Sequence, residues 1–327
     1  MHEARQQAAT VDAAGPIPAL APEAAPAISV VIPHMNQPDH LARCLAALAG
    51  QAGAPPFDAT VVDNGSREAA LSAAGALCAR FGARLIHEPT PGPGPARNAG
   101  IAATAAPLLA FIDADCIAHP RWLQAIAAAF EDPARTILGG DVRIWREDPA
   151  APTALECYES VYAYQMRDYI RRKGFTGTGN LAVRRGTWEA VGPFAGIGTA
   201  EDIDWGRRAT AAGQKIHYLP EAVAWHPARK TMGELHEKWD RHLAHFYEDA
   251  RGSLPGRVKW VARAGAVALS PLPELWRIAR SDRVLGVRER AAAFGVMARL
   301  RLYRARVMLK IAAAGDGAAL SGAWNRR

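Results

Sequence analysis

Residues 108–116 read Leu-Leu-Ala-Phe-Ile-Asp-Ala-Asp-Cys, an apolar run that stops on two carboxylates. A run with no polar interruption predicts a strand buried on both faces, the habit of strands inside a parallel sheet. Such a strand needs cover on each side, and parallel neighbours are joined by crossovers that are usually helical. In open α/β sheets ligands bind outside the C-terminal ends of the strands, which is where Asp113 and Asp115 fall. Residues i and i+2 of an extended segment point the same way, so both acids can face one divalent cation. Oxygen ligands suit Mg²⁺ or Mn²⁺, ions that commonly bridge a protein carboxylate to a phosphate. The plainer reading of an isolated Asp-x-Asp is a helix N-cap followed by a turn acid.

The preceding residues repeat the strand-then-helix pattern. Residues 28–33 (Ile-Ser-Val-Val-Ile-Pro) read as a first buried strand, and Pro38 and Asp39 open a helix with Leu41, Cys44, Leu45 and Leu48 at helical spacing. Residues 60–63 form a second strand ending in Asp63; Ser66 is placed to cap the next helix, leaving Asp63 free at the strand tip. Residues 84–87 give a third strand, a Pro/Gly loop spans 89–95, and Ala96-Arg97-Asn98-Ala99-Gly100 starts a short helix before the Asp113 strand.

Further on, a helix is expected at 121–130, a strand at 137–145 and a Tyr-bearing helix over 153–170. Gly177-Thr178-Gly179-Asn180 precedes a strand at 181–183, and Glu201 and Asp202 head a helix running to 212. Short strands at 215–219 and 223–225 lead to His226. The alternation predicts an α/β fold with a mostly parallel central sheet flanked by helices.

The net charge of +7 is unevenly spread. Residues 251–327 hold 16 Lys/Arg and 4 Asp/Glu, a balance of +12, which leaves −5 for the rest. The chain thus divides into an Ala/Pro-rich lead over 1–27, expected to be disordered, a main α/β body over 28–250, and a basic amphipathic helical extension over 251–327. Cys44, Cys78, Cys116 and Cys157 lie far apart with no Cys-x-x-Cys pair, which argues for reduced cytoplasmic thiols over a zinc site or disulfides. No signal-peptide pattern is seen, and no apolar run approaches the roughly 20 residues that span a bilayer. Two glycine loops invite nucleotide readings. The one at 92–95 lacks the Gly-Lys-Ser/Thr ending of a P-loop, and its prolines remove donors; Gly177-Thr178-Gly179 precedes a strand-like segment where a dinucleotide fingerprint needs a helix.

Taken in order, Pro33 and Asn36, Val62-Asp63-Asn64-Gly65-Ser66, Ala96-Arg97-Asn98-Ala99-Gly100, Asp113-Ala114-Asp115, Gly177-Thr178-Gly179-Asn180 and Glu201-Asp202 form a set more specific than any member. Over residues 28–226 the sequence resembles a family 2 glycosyltransferase of the GT-A fold, inverting and non-processive. The resemblance implies that Pro33, Asn36, Asp63 and Arg97 line the nucleoside pocket. It implies that Asp115 binds Mg²⁺ or Mn²⁺, that Asp113 contacts the ribose or the metal's waters, and that His226 completes the metal or diphosphate site, as in some relatives. Gly179, Asn180 and Glu201 would shape the donor–acceptor junction, with Asp202 as catalytic base. His34, His87, His119 and His217 carry no assigned role.

Without the resemblance, Glu201 and Asp202 are also explained as first-turn acids facing the helix dipole, Asp63 as an Asx-turn acid, Arg97 as a surface helix residue and His226 as a strand-end histidine. Met35 stands where many relatives carry an aromatic residue, and no Gln-x-x-Arg-Trp follows Asp202, which favours transfer of a single sugar. The implied donor is a nucleotide sugar, UDP-linked, and the acceptor a glycan or lipid-linked hydroxyl. A sugar-nucleotide nucleotidyltransferase would carry a Gly-rich, Arg-bearing loop after the first strand; residues 28–36 have none. A non-catalytic GT-A-like module recruited by its tail is the other alternative.

In the extension, Lys and Arg interleave with Trp260, Leu275, Trp276, Phe294, Leu300 and Leu302. This composition predicts peripheral attachment to an anionic membrane on its inner face, or else a helical subdomain with a solvated basic surface. Nucleic acid is not an expected partner, because no recognition motif accompanies the basic charge.

Overall fold

The computed structural model describes residues 14–18 and 25–314, without the side chains of residues 241, 245, 248, 249 and 251. In chain order the elements are β1 (Ile28–His34), α1 (Pro38–Ala49), β2 (Phe57–Asp63), α2 (Glu68–Phe81), β3 (Arg84–His87), α3 (Pro93–Ala102), β4 (Leu108–Ile112), β5 (Ile117–Ala118), α4 (Trp122–Ala129) and β6 (Ile137–Trp145). Then come α5 (Ala154–Tyr162), α6 (Met166–Lys173), β7 (Asn180–Arg184), α7 (Arg185–Val191), α8 (Glu201–Ala211), β8 (Ile216–Pro227), α9 (Met232–Arg251), α10 (Leu254–Leu269), α11 (Pro271–Arg280) and α12 (Gly286–Ala314). They form two compact units, one of Met1–Trp145 with Tyr164–Pro227 and one of Arg146–Ala163 with Ala228–Arg327.

The first unit is built on an eight-stranded sheet of order β3-β2-β1-β4-β7-β6-β8-β5. β1 pairs in parallel with β2 and β4, β2 with β3, and β6 with β8; β7 runs antiparallel to β4 and β6, and β5 to β8. The strands alternate between two buried faces, as the period of two demands. Val30, Ile32, Ala110 and Ile112 pack with Leu41, Leu45, Trp122 and Leu123 on one side. Val31, Leu109 and Phe111 pack with Ile101, Leu181 and Trp205 on the other. The reversed direction of β7 brings a loop to the ligand-binding edge of the sheet. Because its first residue, Asn180, pairs with Ile112 at the end of β4, the Gly177–Asn180 loop arrives at the rim where Asp113 and Asp115 emerge.

Several expected boundaries move. The Pro/Gly loop ends earlier than its composition suggests, because Pro93 begins α3, where a missing N–H costs no helical hydrogen bond. The single helix expected over 153–170 is two, α5 and α6, parted at Tyr164 with φ of 49°. The two short strands after Lys215 are one, β8, whose pairing with β6 shifts register between Gly140 and Asp141. The lead is not wholly without contacts. Ile17 is buried against the core and its N–H donates to the Phe81 carbonyl, since one large apolar side chain among alanines and prolines finds a place to dock. Residues 1–13 and 19–24 lie outside the described residues.

The second unit gathers α5 and α9–α12. Leu155, Tyr158, Leu235, Ile278, Val296 and Leu300 form one cluster. Leu243, Tyr247, Trp260, Ala264 and Met308 form another. The boundary expected at 250/251 therefore falls at the end of α9, inside this unit. Trp260 and Leu300, expected to alternate with arginines at a surface, are buried in these clusters, and Trp260 Nε1 donates to the Met308 carbonyl. Arg304 is buried as well, 3.5 Å from the centre of the Trp239 ring, and burial pulls it down to about 10. Trp324 lies outside the described residues. No helix among the described residues is long and apolar enough to cross a membrane.

Candidate active site

The site occupies the C-terminal rim of the sheet in the first unit. At the tips of β1, β2 and β3, residues His34, Asp63 and His87 stand opposite one another in register. Asp63 is not free, and Ser66 does not cap the next helix: α2 starts at Glu68 with no side-chain cap. Instead the Ser66 hydroxyl accepts the Asn36 N–H, while the N–H groups of Gly65 and Ser66 donate to Asp63 Oδ2 at 3.3 and 3.1 Å. Asp63 also takes His34 Nδ1 on one oxygen and His87 Nδ1 on the other, each at 3.3 Å.

His34 accepts the Gln37 N–H on Nε2, so the proton on Nδ1 goes to Asp63 and the ring is neutral. Burial lowers its pKa despite the carboxylate beside it. Burial raises the Asp63 pKa, but the Ser66 hydrogen bonds and the two histidines outweigh that and hold it below the usual value. Asn36, at φ of 55°, accepts the Arg67 N–H on its side-chain oxygen and so joins the loops after β1 and β2. Pro33 pairs with Val62 in the same register, and Met35 beside it is exposed.

At the tip of β4, ligand atoms of Asp113, Asp115 and Cys116 lie within 4.8 Å of one another. Cys116 is a poor ligand here. Burial raises its thiol well above the ordinary range, and Sγ sits 3.8 Å from Asp115 Oδ1 as a weak donor. The better third group is His226 at the end of β8, whose Nε2 is 3.2 Å from Asp115 Oδ2. Its Nδ1–H donates to the Pro227 carbonyl at 2.7 Å, which fixes the ring with Nε2 turned to the carboxylate, and Tyr164 packs on its face at 4.7 Å. Burial alone would raise Asp115, but the His226 hydrogen bond and charge bring it below the ordinary value. The same pairing lifts His226 in spite of burial. The two carboxylates, joined by His226 once its Nε2 gives up the proton shared with Asp115, make a donor set that fits Mg²⁺ or Mn²⁺.

Across from this pair, Arg97 on α3 is a buried clamp. One end of its guanidinium donates to Asp113 Oδ1 at 2.6 Å and the other to Glu201 Oε1 at 2.8 Å, at the head of α8. Its hydrogen bonds thus join Asp113 at the tip of β4 to Glu201 at the head of α8. The Thr178 hydroxyl lies 3.5 Å from the same Glu201 oxygen. Asp202 follows Glu201 and accepts the Ile203 N–H at 2.8 Å. Burial and the Glu201 charge raise its pKa, against a smaller opposing pull from Arg97.

Gly179 and Asn180 support this arrangement without offering free polar groups. A Cβ on Gly179 would stand 2.5 Å from Asp113 Oδ2, so only glycine lets the loop come so near. The Asn180 amide is buried and donates to the carbonyls of Asp141 and Ala222, while its oxygen accepts Trp122 Nε1 at 2.8 Å. It locks β7 to β6, β8 and α4 directly under the rim. Trp122 and Asp141 escaped sequence reasoning, as did the histidines at 34 and 87. A lone residue carries no spacing signal, and only the strand register would have paired His34 and His87 with Asp63.

Residues 25–244 match the family model described as "Glycosyltransferase like family 2". The chain belongs to this family. Glycosyltransferase AglE of Haloferax volcanii is 33% identical over 217 residues, covering 65% of this chain and 70% of AglE. Validoxylamine A glucosyltransferase of Streptomyces hygroscopicus subsp. limoneus is 32% identical over 154 residues, which span 46% of this chain and only 33% of that protein. Among solved structures, the mannosyltransferase PcManGT from Pyrobaculum calidifontis, determined with GDP-Man and Mn²⁺, aligns with a TM-score of 0.52 at 18% identity, over 100% of this chain and 99% of its own. That likeness gives the fold: a GT-A-type α/β sheet with a C-terminal helical extension. The enzyme is a glycosyltransferase.

Proposed function

We propose that this glycosyltransferase moves one sugar from a UDP-linked donor to a hydroxyl of a glycan or lipid-linked acceptor, with inversion at the anomeric carbon. What supports the reading is the Arg97 bridge, which ties Asp113, two residues before Asp115, to Glu201, the neighbour of Asp202, at a single rim. A divalent cation held by Asp113, Asp115 and His226 would neutralise the departing diphosphate. Asp63, its oxygens taken by His34, His87 and the Gly65 and Ser66 N–H groups, would brace the nucleoside pocket from beneath, while Pro33 and Asn36 shape the pocket around the nucleoside.

Asp202 takes the proton of the acceptor hydroxyl as its oxygen bonds to the anomeric carbon and the bond to the diphosphate breaks. A carboxylate of raised pKa suits that work better than an ordinary one, because it holds the proton more strongly. With Asp202 as base and the neighbouring Glu201 held by Arg97, the transfer is a single displacement. Glu201, gripped by Arg97, orients the acceptor. The acceptor is a molecule presented at an anionic membrane surface, met by the basic extension.

Incubation with UDP-, GDP- and dTDP-linked sugars, with Mn²⁺ or Mg²⁺, tests this by nucleoside diphosphate release. Release from a UDP-sugar that stops with EDTA is expected, with the opposite anomer in the product by NMR. Turnover indifferent to EDTA, or a retained anomer, would overturn it.

A further inference from the structure

α10 is apolar on two faces, and folding uses only one. Trp260, Ala264 and Val267 turn into the core of the helical unit. Leu254, Val258, Val261 and Leu269, spaced i, i+4, i+7 and i+15, form a second stripe that faces outward, with Leu254 75% and Leu269 73% exposed. α11 repeats the arrangement. Ile278 points inward, whereas Leu272, Leu275, Trp276 and Ala279 lie at i, i+3, i+4 and i+7 on the outer side, with Leu272 69% and Trp276 63% exposed. A surface helix needs one apolar stripe, so two consecutive helices that each keep a second one mark an interaction surface.

The charges around these stripes indicate what covers them. Residues 254–280 hold Arg257, Lys259, Arg263, Arg277 and Arg280 against a single acid, Glu274. That acid is spent inside the unit, where its two oxygens accept the Tyr162 hydroxyl and Arg301 at 3.0 Å each. Arg280 lies over the Trp276 ring at 4.0 Å, a cation carried on the outward aromatic. A second copy of the chain meeting this face would bring the same cations against themselves, which is unfavourable for a two-fold contact. A surface of anionic headgroups over an apolar interior matches both the cations and the stripes.

We propose that α10 and α11 lie in the interface of an anionic bilayer, with Leu254, Val258, Leu269, Leu272 and Trp276 inserted below the headgroups and the flanking cations on them. This specifies the membrane contact without resting on the chemistry of the active site. The test is co-sedimentation of the full chain with vesicles of phosphatidylcholine alone or mixed with phosphatidylglycerol, over a range of salt.

Binding is expected only to the mixed vesicles, weakening with salt. It should be lost in Leu272→Ser/Trp276→Ser and weakened by about fivefold per charge removed in Lys259→Gln/Arg280→Gln. Circular dichroism melts and nucleotide-sugar turnover of the same variants keep folding and active-site effects apart from vesicle binding. Unchanged vesicle binding in the folded apolar variant would overturn the proposal. So would a concentration-dependent dimer, without lipid, that this variant abolishes, since it would give the face to a second copy.

Discussion

The tip of β4 and the head of α8 each present a carboxylate to the same rim, and their surroundings drive the two apart. Asp115 is half-buried, yet the imidazole of His226 lies 3.2 Å away and holds it ionised below the ordinary range. Asp202 has Glu201 for its neighbour, and burial with that second negative charge pushes it up. A helix N-terminus ordinarily favours an ionised acid, so the rise at Asp202 means that burial and Glu201 outweigh the dipole. These opposite shifts fit the proposed reaction, in which one carboxylate stays charged against a cation and the other accepts a proton. Two acids whose surroundings push their pKa values apart are how acid and base roles are divided.

The contrast is most exposed at Asp202. Replacing it with Asn should lower kcat by roughly 10³-fold, within the range for a positioned general base, in steady-state assays with saturating donor. A kcat within tenfold of native would move the base elsewhere. On the other carboxylate, His226→Ala removes a proposed ligand together with the group that orients Asp115, and should weaken Mn²⁺ affinity by at least about 10- to 100-fold in metal titrations of activity.

Arg97 and Glu201 press on Asp202 in opposite senses, so their variants should move the acid limb of the pH–rate profile oppositely. The base must be ionised, and the rate falls as pH drops through its pKa. Glu201→Gln removes a negative charge, lowers that pKa and shifts the limb to lower pH; Arg97→Gln removes a positive charge and shifts it to higher pH. Limbs moving together would separate Asp202 from both partners.

The smallest effect belongs to the support beneath the rim. Trp122→Phe leaves the buried Asn180 oxygen without its donor and should cost about 1–3 kcal/mol in denaturant unfolding, with the pH profile unmoved.

Much of this was legible in the residues. The strands over 84–87 and 137–145 fall where the pattern put them, because branched and apolar residues between turn residues favour a strand whether it is buried, as at 137–145, or at the sheet edge, as at 84–87. The acids at strand tips were visible for the same reason. What sequence could not give was partnership. Ser66 looked like a helix cap because capping chemistry is local, but its hydroxyl bonds Asn36 across two strand ends. Arg97 sits in a motif whose neighbours suggested the base, while its burial between Asp113 and Glu201 depends on three elements meeting. In the extension, spacing alone did not tell which tryptophan turns inward; Trp260 does and Trp276 does not.

The division of labour between the two aspartates is most directly tested by calorimetric titration of donor with Mn²⁺ into Asp115→Ala and Asp202→Asn. Asp202→Asn should bind donor as the native enzyme does and keep its requirement for the ion, while Asp115→Ala should show no Mn²⁺-dependent binding. Donor binding that survives in Asp115→Ala and vanishes in Asp202→Asn would reverse the roles assigned here.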